Sequence, residues 1–212
     1  VGTAYRQAEL ERLAQWILDR ELVLCSDEIH CDLLLEPGLT HQPMASLGKD
    51  IADRTITLMA PSKTFNLPGF GCSFAIISNG ELRRKFKRAM AGIVPDPPAM
   101  SFSLTEAAFR HGEKWRIQLL DYLRGNREFA LSKLNAMDGL IPYSPEATYL
   151  LWIDARELRV PCPQVFFEDH GVGLSDGRDF GAPGFLRMNL GCSRDLLQEA
   201  LGRMSEAIRS LA

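Results

Sequence analysis

The chain has 212 residues, 46% hydrophobic and 24% charged, with a net charge of −3 at pH 7. That is ample material for a core, which excludes a disordered chain, and at about 150 residues per domain it amounts to one and a half ordinary domains. The mildly acidic balance excludes a general basic field, so neither nucleic acid nor an anionic membrane is expected as a partner.

In chain order, Leu10, Leu13, Ala14, Ile17 and Leu18 recur at helical spacing and predict an amphipathic helix over about 6–19. Leu22-Val23-Leu24-Cys25 follows as a short apolar run without alternation, the pattern of a strand covered on both faces, and it ends in Ser26-Asp27-Glu28. Acidic residues at the carboxyl end of such a strand lie where open α/β sheets place ligand-binding groups. Thr55–Met59 reads as a second strand, with Ala60-Pro61-Ser62-Lys63-Thr64-Phe65-Asn66 as the loop leaving it. Cys72–Ile77 reads as a third strand, bounded by Gly71 and by Asn79-Gly80, before a basic helix over about 81–90.

Ile93-Val94-Pro95-Asp96-Pro97-Pro98 cannot be helical. Residues 101–137 then carry a long helical pattern, with a break expected near Gly125. The remainder predicts a strand at Tyr149–Ile153, a short helix at Pro163–Asp169, a strand at Phe185–Leu190 and a closing helix over 194–211. Five scattered cysteines, at 25, 31, 72, 162 and 192, form no C-x-x-C pair, so no disulfide framework or zinc site is expected and the cytoplasm is the expected compartment. The first residues show no leader pattern and no run of about 18 apolar residues occurs, so neither export nor a membrane span is expected.

Ser62-Lys63-Thr64 lacks the glycines of a phosphate-binding loop, which argues against a nucleotidase. His30, Cys31, Asp32 and His41 lie close in sequence, but they share no helical face and mix a soft thiol with a hard carboxylate, so no metal is expected. Lys63 has a stronger claim. It follows an apolar strand and has no acidic neighbour in sequence, a setting in which a lysine amine can serve as a Schiff-base nucleophile. Asp27, at the end of another strand, supplies the carboxylate that a pyridoxal phosphate (PLP) ring nitrogen requires.

Ser26-Asp27-Glu28-Ile29-His30-Cys31-Asp32-Leu33, then Ala60-Pro61-Ser62-Lys63-Thr64-Phe65-Asn66, then Phe185-Leu186-Arg187-Met188-Asn189-Leu190-Gly191-Cys192 resemble three consecutive motifs of fold-type I PLP enzymes. More narrowly, these motifs resemble the cystathionine β-lyase branch known as the MalY/PatB group, and the intervening Thr105-Glu106-Ala107-Ala108 and Leu123-Arg124-Gly125-Asn126 also resemble it. The resemblance implies an α/β chain of the PLP-dependent transferase type, with pyridoxal 5'-phosphate as cofactor and an amino acid as substrate. It makes Lys63 the Schiff-base lysine, Asp27 the partner of the pyridinium nitrogen and Ser62 a hydroxyl donor to the cofactor phosphate. His30 takes the place near the cofactor's phenolic oxygen where many aminotransferases have tyrosine. Arg187 takes the α-carboxylate with a bidentate fork.

Aminotransferases usually carry a phosphate-binding arginine eight residues after this lysine, where this chain has Gly71. That departure, together with His30 in place of tyrosine, favours a carbon–sulfur lyase that yields a thiol, pyruvate and ammonia. An aminotransferase is the alternative reading, and a non-catalytic or dual-role protein-binding scaffold a third. The resemblance also implies a homodimer.

The family's glycine-rich phosphate loop, ring-stacking aromatic and the asparagine of its N-P-x-G motif have no match, although Val1-Gly2 resembles the end of that last motif. A fragment is therefore expected, truncated or paired with a separate chain that carries the other half. Residues 1–100 would be the C-terminal part of a large three-layer α/β/α cofactor domain, 101–137 a connecting helical region and 138–212 a small α/β domain.

Overall fold

The computed structural model describes residues 2–211; Val1, on which half of the Val1-Gly2 match falls, lies outside the described residues. The chain divides into two compact units with one sheet each. The first comprises Ala4–Leu34 and Gly38–Gln118, and the second Val1–Thr3, Leu35–Pro37 and Leu119–Ala212.

The first unit opens with helix α1, Gln7–Asp19, whose Glu9 carboxylate accepts the Arg6 N–H at 2.8 Å. Leu10, Ala14 and Ile17 form its buried stripe and pack with Met44 and Ile51, the latter on the short helix α2, Lys49–Ala52. Strands β1, Leu24–Asp27, and β2, Thr55–Met59, are parallel, in a register running from Leu24↔Thr55 to Asp27↔Leu58. Strand β3, Phe74–Ile76, adds antiparallel to the other side of β2.

β1 begins two residues later than its apolar run. The Leu22 N–H still belongs to the turn closing α1, donating to the Ile17 carbonyl at 3.1 Å, and the ladder opens only when the Leu24 N–H reaches the Arg54 carbonyl at 2.9 Å. Nor is β1 covered on both faces: it is an edge strand in which Cys25 and Asp27 are exposed.

The segment expected as a loop after β2 contains a helical turn, α3, Pro61–Thr64, opened by a proline whose fixed φ suits the first helical position. β3 is shorter than its apolar run because Gly71 turns the chain through a left-handed conformation, φ +55°, just before it. Asn79, expected as a strand boundary, caps helix α4, Gly80–Met90, by accepting the N–H groups of Glu81 at 2.9 Å and Leu82 at 3.1 Å.

The long helical pattern resolves into α5, Ala99–His111, and α6, Glu113–Leu134, with the break at Gly112 and not at Gly125, which lies inside α6. Packing decides between the two glycines. A Cβ on Gly112 would lie 2.5 Å from Phe65 Cε1 and 2.4 Å from the Ala108 carbonyl oxygen, so Phe65 occupies the space that a side chain would need.

The second unit takes α6 from Leu119 onward. Its sheet is antiparallel throughout, in the order β4-β5-β7-β6, with β4 Ile141–Tyr143, β5 Leu150–Asp154, β6 Ser175–Asp176 and β7 Phe185–Asn189. Helix α7, Pro163–Asp169, has the expected bounds, and α8, Arg194–Arg209, closes the chain. Leu134, Leu151, Ile153, Phe167, Leu186, Leu197, Leu201 and Met204 form a fully enclosed core. The alternation in β7 sends Leu186 and Met188 into that core and leaves Phe185 and Arg187 on the other face. β4 and β6 had no sequence signal. They hold three and two residues, and Pro142 sits in β4, an edge strand, where a missing N–H is tolerated.

Candidate functional site

Four of the five predicted site residues belong to the first unit. Asp27 is the last residue of β1 and pairs with Leu58 of the neighbouring parallel strand, while Ser62 and Lys63 lie on α3, directly beyond the end of that strand. The carboxylate and the amine are thus both carried at the carboxyl ends of adjacent parallel strands, where open α/β sheets gather ligand-binding groups.

Asp27 is exposed; its Oδ1 accepts the Ile29 N–H at 3.3 Å, and it forms no ion pair among the described residues. Lys63 is half-buried, and its amine has no hydrogen bond or ion pair among the described residues. Ser62 and His30 are half-buried, and the His30 carbonyl accepts the Leu33 N–H at 3.0 Å. This donor set suits PLP: an amine free to bond the aldehyde, a carboxylate with an oxygen left for a pyridinium N–H, and a hydroxyl for a phosphate oxygen.

The turn bearing Lys63 is held from beneath. Thr64 is buried and its hydroxyl donates to Asp32 Oδ2 at 3.4 Å, while Arg116 donates to the Asp32 carbonyl at 2.9 Å. Phe65 meets Phe109 edge-on at 5.6 Å and lies 6.3 Å from Trp115. These contacts fix the two residues that follow Lys63 without engaging its amine.

Sequence reasoning missed a hydrogen-bonded clamp around a buried carboxylate beside Asp27. Glu28 is only 7% exposed. Its Oε2 lies 2.7 Å from His41 Nε2, and its Oε1 accepts the Ser26 hydroxyl at 2.9 Å and the Met44 N–H at 3.2 Å. Burial acts to raise the carboxyl's pKa, but the hydrogen bonds from His41, Ser26 and Met44 outweigh it and hold Glu28 below the usual glutamate value. His41, expected as an ordinary loop residue, is thus part of a clamp. The available signal was an acidic residue next to a strand end, which needs a partner if the fold covers it. Nearby, burial, with Asp32 and Glu28 adding to it, pushes the Cys31 thiol up to about 12. No cluster of three or more potential metal ligands exists among the described residues.

Arg187 belongs to the second unit. It is half-buried, its guanidinium stacks 4.5 Å from the centre of the Phe180 ring, and it donates to Ser175 Oγ at 3.3 Å, with no carboxylate partner among the described residues. The turn after β7 is secured by Asn126 of α6, fully buried, whose Nδ2 donates to the carbonyls of Leu190 at 2.8 Å and Cys192 at 3.0 Å.

Comparison with known proteins places these residues in context. The family model described as "Aminotransferase class I and II" matches residues 1–204. A curated cystathionine beta-lyase, PatB of Bacillus subtilis, is 33% identical over 98% of this chain and 55% of its own length. Among solved structures, one named OvoB is 51% identical with a TM-score of 0.96, covering 99% of this chain and 55% of that one. Cystalysin from Treponema denticola, described as containing a pyridoxal 5'-phosphate cofactor, is 31% identical with a TM-score of 0.93 over 100% of this chain and 55% of its own. The chain spans about half the length of the relatives it matches. The fold is that of the fold-type I PLP-dependent transferases.

Proposed function

The chain belongs to the class I and II aminotransferase family, and from that membership we propose that it serves a PLP-dependent carbon–sulfur β-lyase acting on cystathionine or another cysteine S-conjugate. The observation that carries the reading is the placement of the unengaged Lys63 amine and the Asp27 carboxylate at the carboxyl ends of two adjacent parallel strands, Lys63 on the turn directly beyond β2. Relatives named cystathionine beta-lyase and Gly71 in the arginine position support elimination over amino transfer.

Asp27 would keep the cofactor's ring nitrogen protonated, Ser62 would donate to the phosphate and His30 would face the ring's phenolic oxygen. Arg187 would bind the α-carboxylate. Lys63 would hold the cofactor at rest and then take the proton from the substrate Cα. Bound PLP supplies the electron sink that makes this proton acidic. With sulfur on Cβ, the electron pair left at Cα expels the thiolate, which leaves protonated as a thiol, and water converts the remaining fragment to pyruvate and ammonia.

The full protein is read as a cytoplasmic homodimer in which residues 1–100 close the cofactor domain, 101–137 connect and 138–212 form the small domain. Among the described residues no helix is long and apolar enough to cross a membrane. The test is pyruvate release from cystathionine by the PLP-loaded protein, with Lys63→Ala as control. Loss of pyruvate in the variant is expected; keto-acid-dependent amino transfer without pyruvate overturns the lyase reading.

A further inference from the structure

One face of the four-stranded sheet carries a continuous run of ring and guanidinium contacts. Arg156 Cζ lies 4.8 Å from the centre of Phe185, and Phe185 stacks on Trp152 at 5.6 Å and 16°. Trp152 meets Phe180 edge-on at 5.8 Å and 80°, and Phe180 supports Arg187 Cζ at 4.5 Å. The run ends in a cation on each side, but the two cations are treated differently. Arg156 is neutralised by Asp154, with Nη2 at 2.6 Å and Nε at 2.9 Å from the carboxylate oxygens. Arg187 receives only a ring face and the Ser175 hydroxyl.

That difference has a chemical consequence. A guanidinium directs its five N–H donors in its own plane, so a ring against its face attracts the charge without using a donor. A carboxylate in the same place would occupy the fork and compete with an incoming acid. The Phe180 ring therefore holds the Arg187 charge over its face, 4.5 Å from its centre, without using an N–H donor, and the guanidinium keeps donors for a two-point contact.

Phe180 is itself held. It ends a 3-10 turn, Gly177–Phe180, whose first turn is closed by Asp176 accepting the Arg178 N–H at 2.8 Å and the Arg178 Nε–H at 2.7 Å. The Trp152 edge backs it from the sheet. Ser175 lies opposite Arg187 in the β6–β7 register and limits the guanidinium from the other strand.

We infer that Phe180, with Ser175, positions Arg187 and so sets the affinity for the substrate's α-carboxylate. The inference rests on the proposed role of Arg187 as the carboxylate-binding group. It assigns Phe180 no contact with the reacting atoms, so its loss should weaken binding without slowing the bound substrate's reaction.

The test uses the full protein loaded with PLP. Phe180→Leu is expected to raise KM for cystathionine about two- to fivefold, the scale of a cation–π contact to an exposed ring, with kcat changed less than about twofold. Phe180→Tyr, which keeps a ring, should return KM to within about twofold of the parent, and Ser175→Ala should raise it about two- to threefold. The affinity of 3-methylthiopropanoate, which has the carboxylate but no amine, is measured by calorimetry and should fall in parallel. Circular dichroism confirms that each variant is folded, and Ser175→Ala and Phe180→Tyr preserve the comparison if leucine at 180 unfolds the turn. Arg187→Ala separates the two levels: if it leaves both affinities unchanged, the role of Arg187 itself fails. If Arg187→Ala abolishes binding while Phe180→Leu and Ser175→Ala are silent, or if Phe180→Leu lowers kcat and spares KM, the positioning role is overturned and the reading of Arg187 is not.

Discussion

Replacing Glu28 by glutamine would remove one charge from the clamp beside Asp27 and leave its shape intact. The Ser26 hydroxyl and the Met44 N–H keep an acceptor, because both donate to the same oxygen, Oε1. What changes is the 2.7 Å contact to His41, which becomes an ordinary hydrogen bond. A bond to a charged group contributes roughly 1.5–3 kcal/mol and a neutral one about 1, so Glu28→Gln should cost about 0.5–2 kcal/mol at neutral pH. The sign with pH follows from the lowered carboxyl pKa. A group held below its unfolded value stabilises the fold fully above that value, and the contribution disappears as pH falls through the folded pKa. Urea unfolding of the parent, Glu28→Gln, His41→Phe and the double variant at pH 7 and again well below the ordinary glutamate value would measure this. The gap between parent and Glu28→Gln should close in acid, and the double-variant cycle should give a coupling of about 0.5–2 kcal/mol at pH 7. A gap of equal size at both pH values would refute the assignment of this stability to the Glu28 charge.

Other outcomes follow from particular contacts. Cys31, its thiol pushed up to about 12, should be the slowest to alkylate at pH 8, where its thiolate fraction is on the order of 10⁻⁴, while exposed Cys25 reacts early; peptide mass mapping over time checks the order. Asn126→Ala leaves the Leu190 and Cys192 carbonyls without their buried donor and should cost about 2 kcal/mol in urea unfolding, softened because Asn126 Oδ1 has no partner to lose. Gly112→Ala places a methyl against Phe65 and should cost about 1–3 kcal/mol; Gly125→Ala, inside α6, should cost less, and the reverse order would contradict the position of the break.

Where the sequence could be read and where it could not has a physical pattern. β2 and α7 were legible to the residue because turn signals bound them on both sides, and β7 because its alternation separates Leu186 and Met188 from Arg187. The start of β1 was not, since one apolar run, 22–25, serves both the closing turn of α1 and the first rung of the ladder. Two glycines in one helical pattern look alike until Phe65 is packed against one of them. Lys63, Asp27 and Arg187 could be named as candidates because the chemistry proposed for them is tied to local motifs. The Glu28–His41 clamp spans thirteen residues of aperiodic loop and the Phe180–Arg187 stack joins a 3-10 turn to a strand, so neither leaves a local signature.

The ring run on the second sheet also confers an optical property. Trp16 and Trp115 lie in the first unit and Trp152 in the second, so replacing the first two by phenylalanine would leave a single indole, on the residue directly opposite Arg187 in the β5–β7 register. Its emission would then report the small sheet alone, registering occupancy of the guanidinium as a shift in fluorescence and separating the melting of one unit from that of the other.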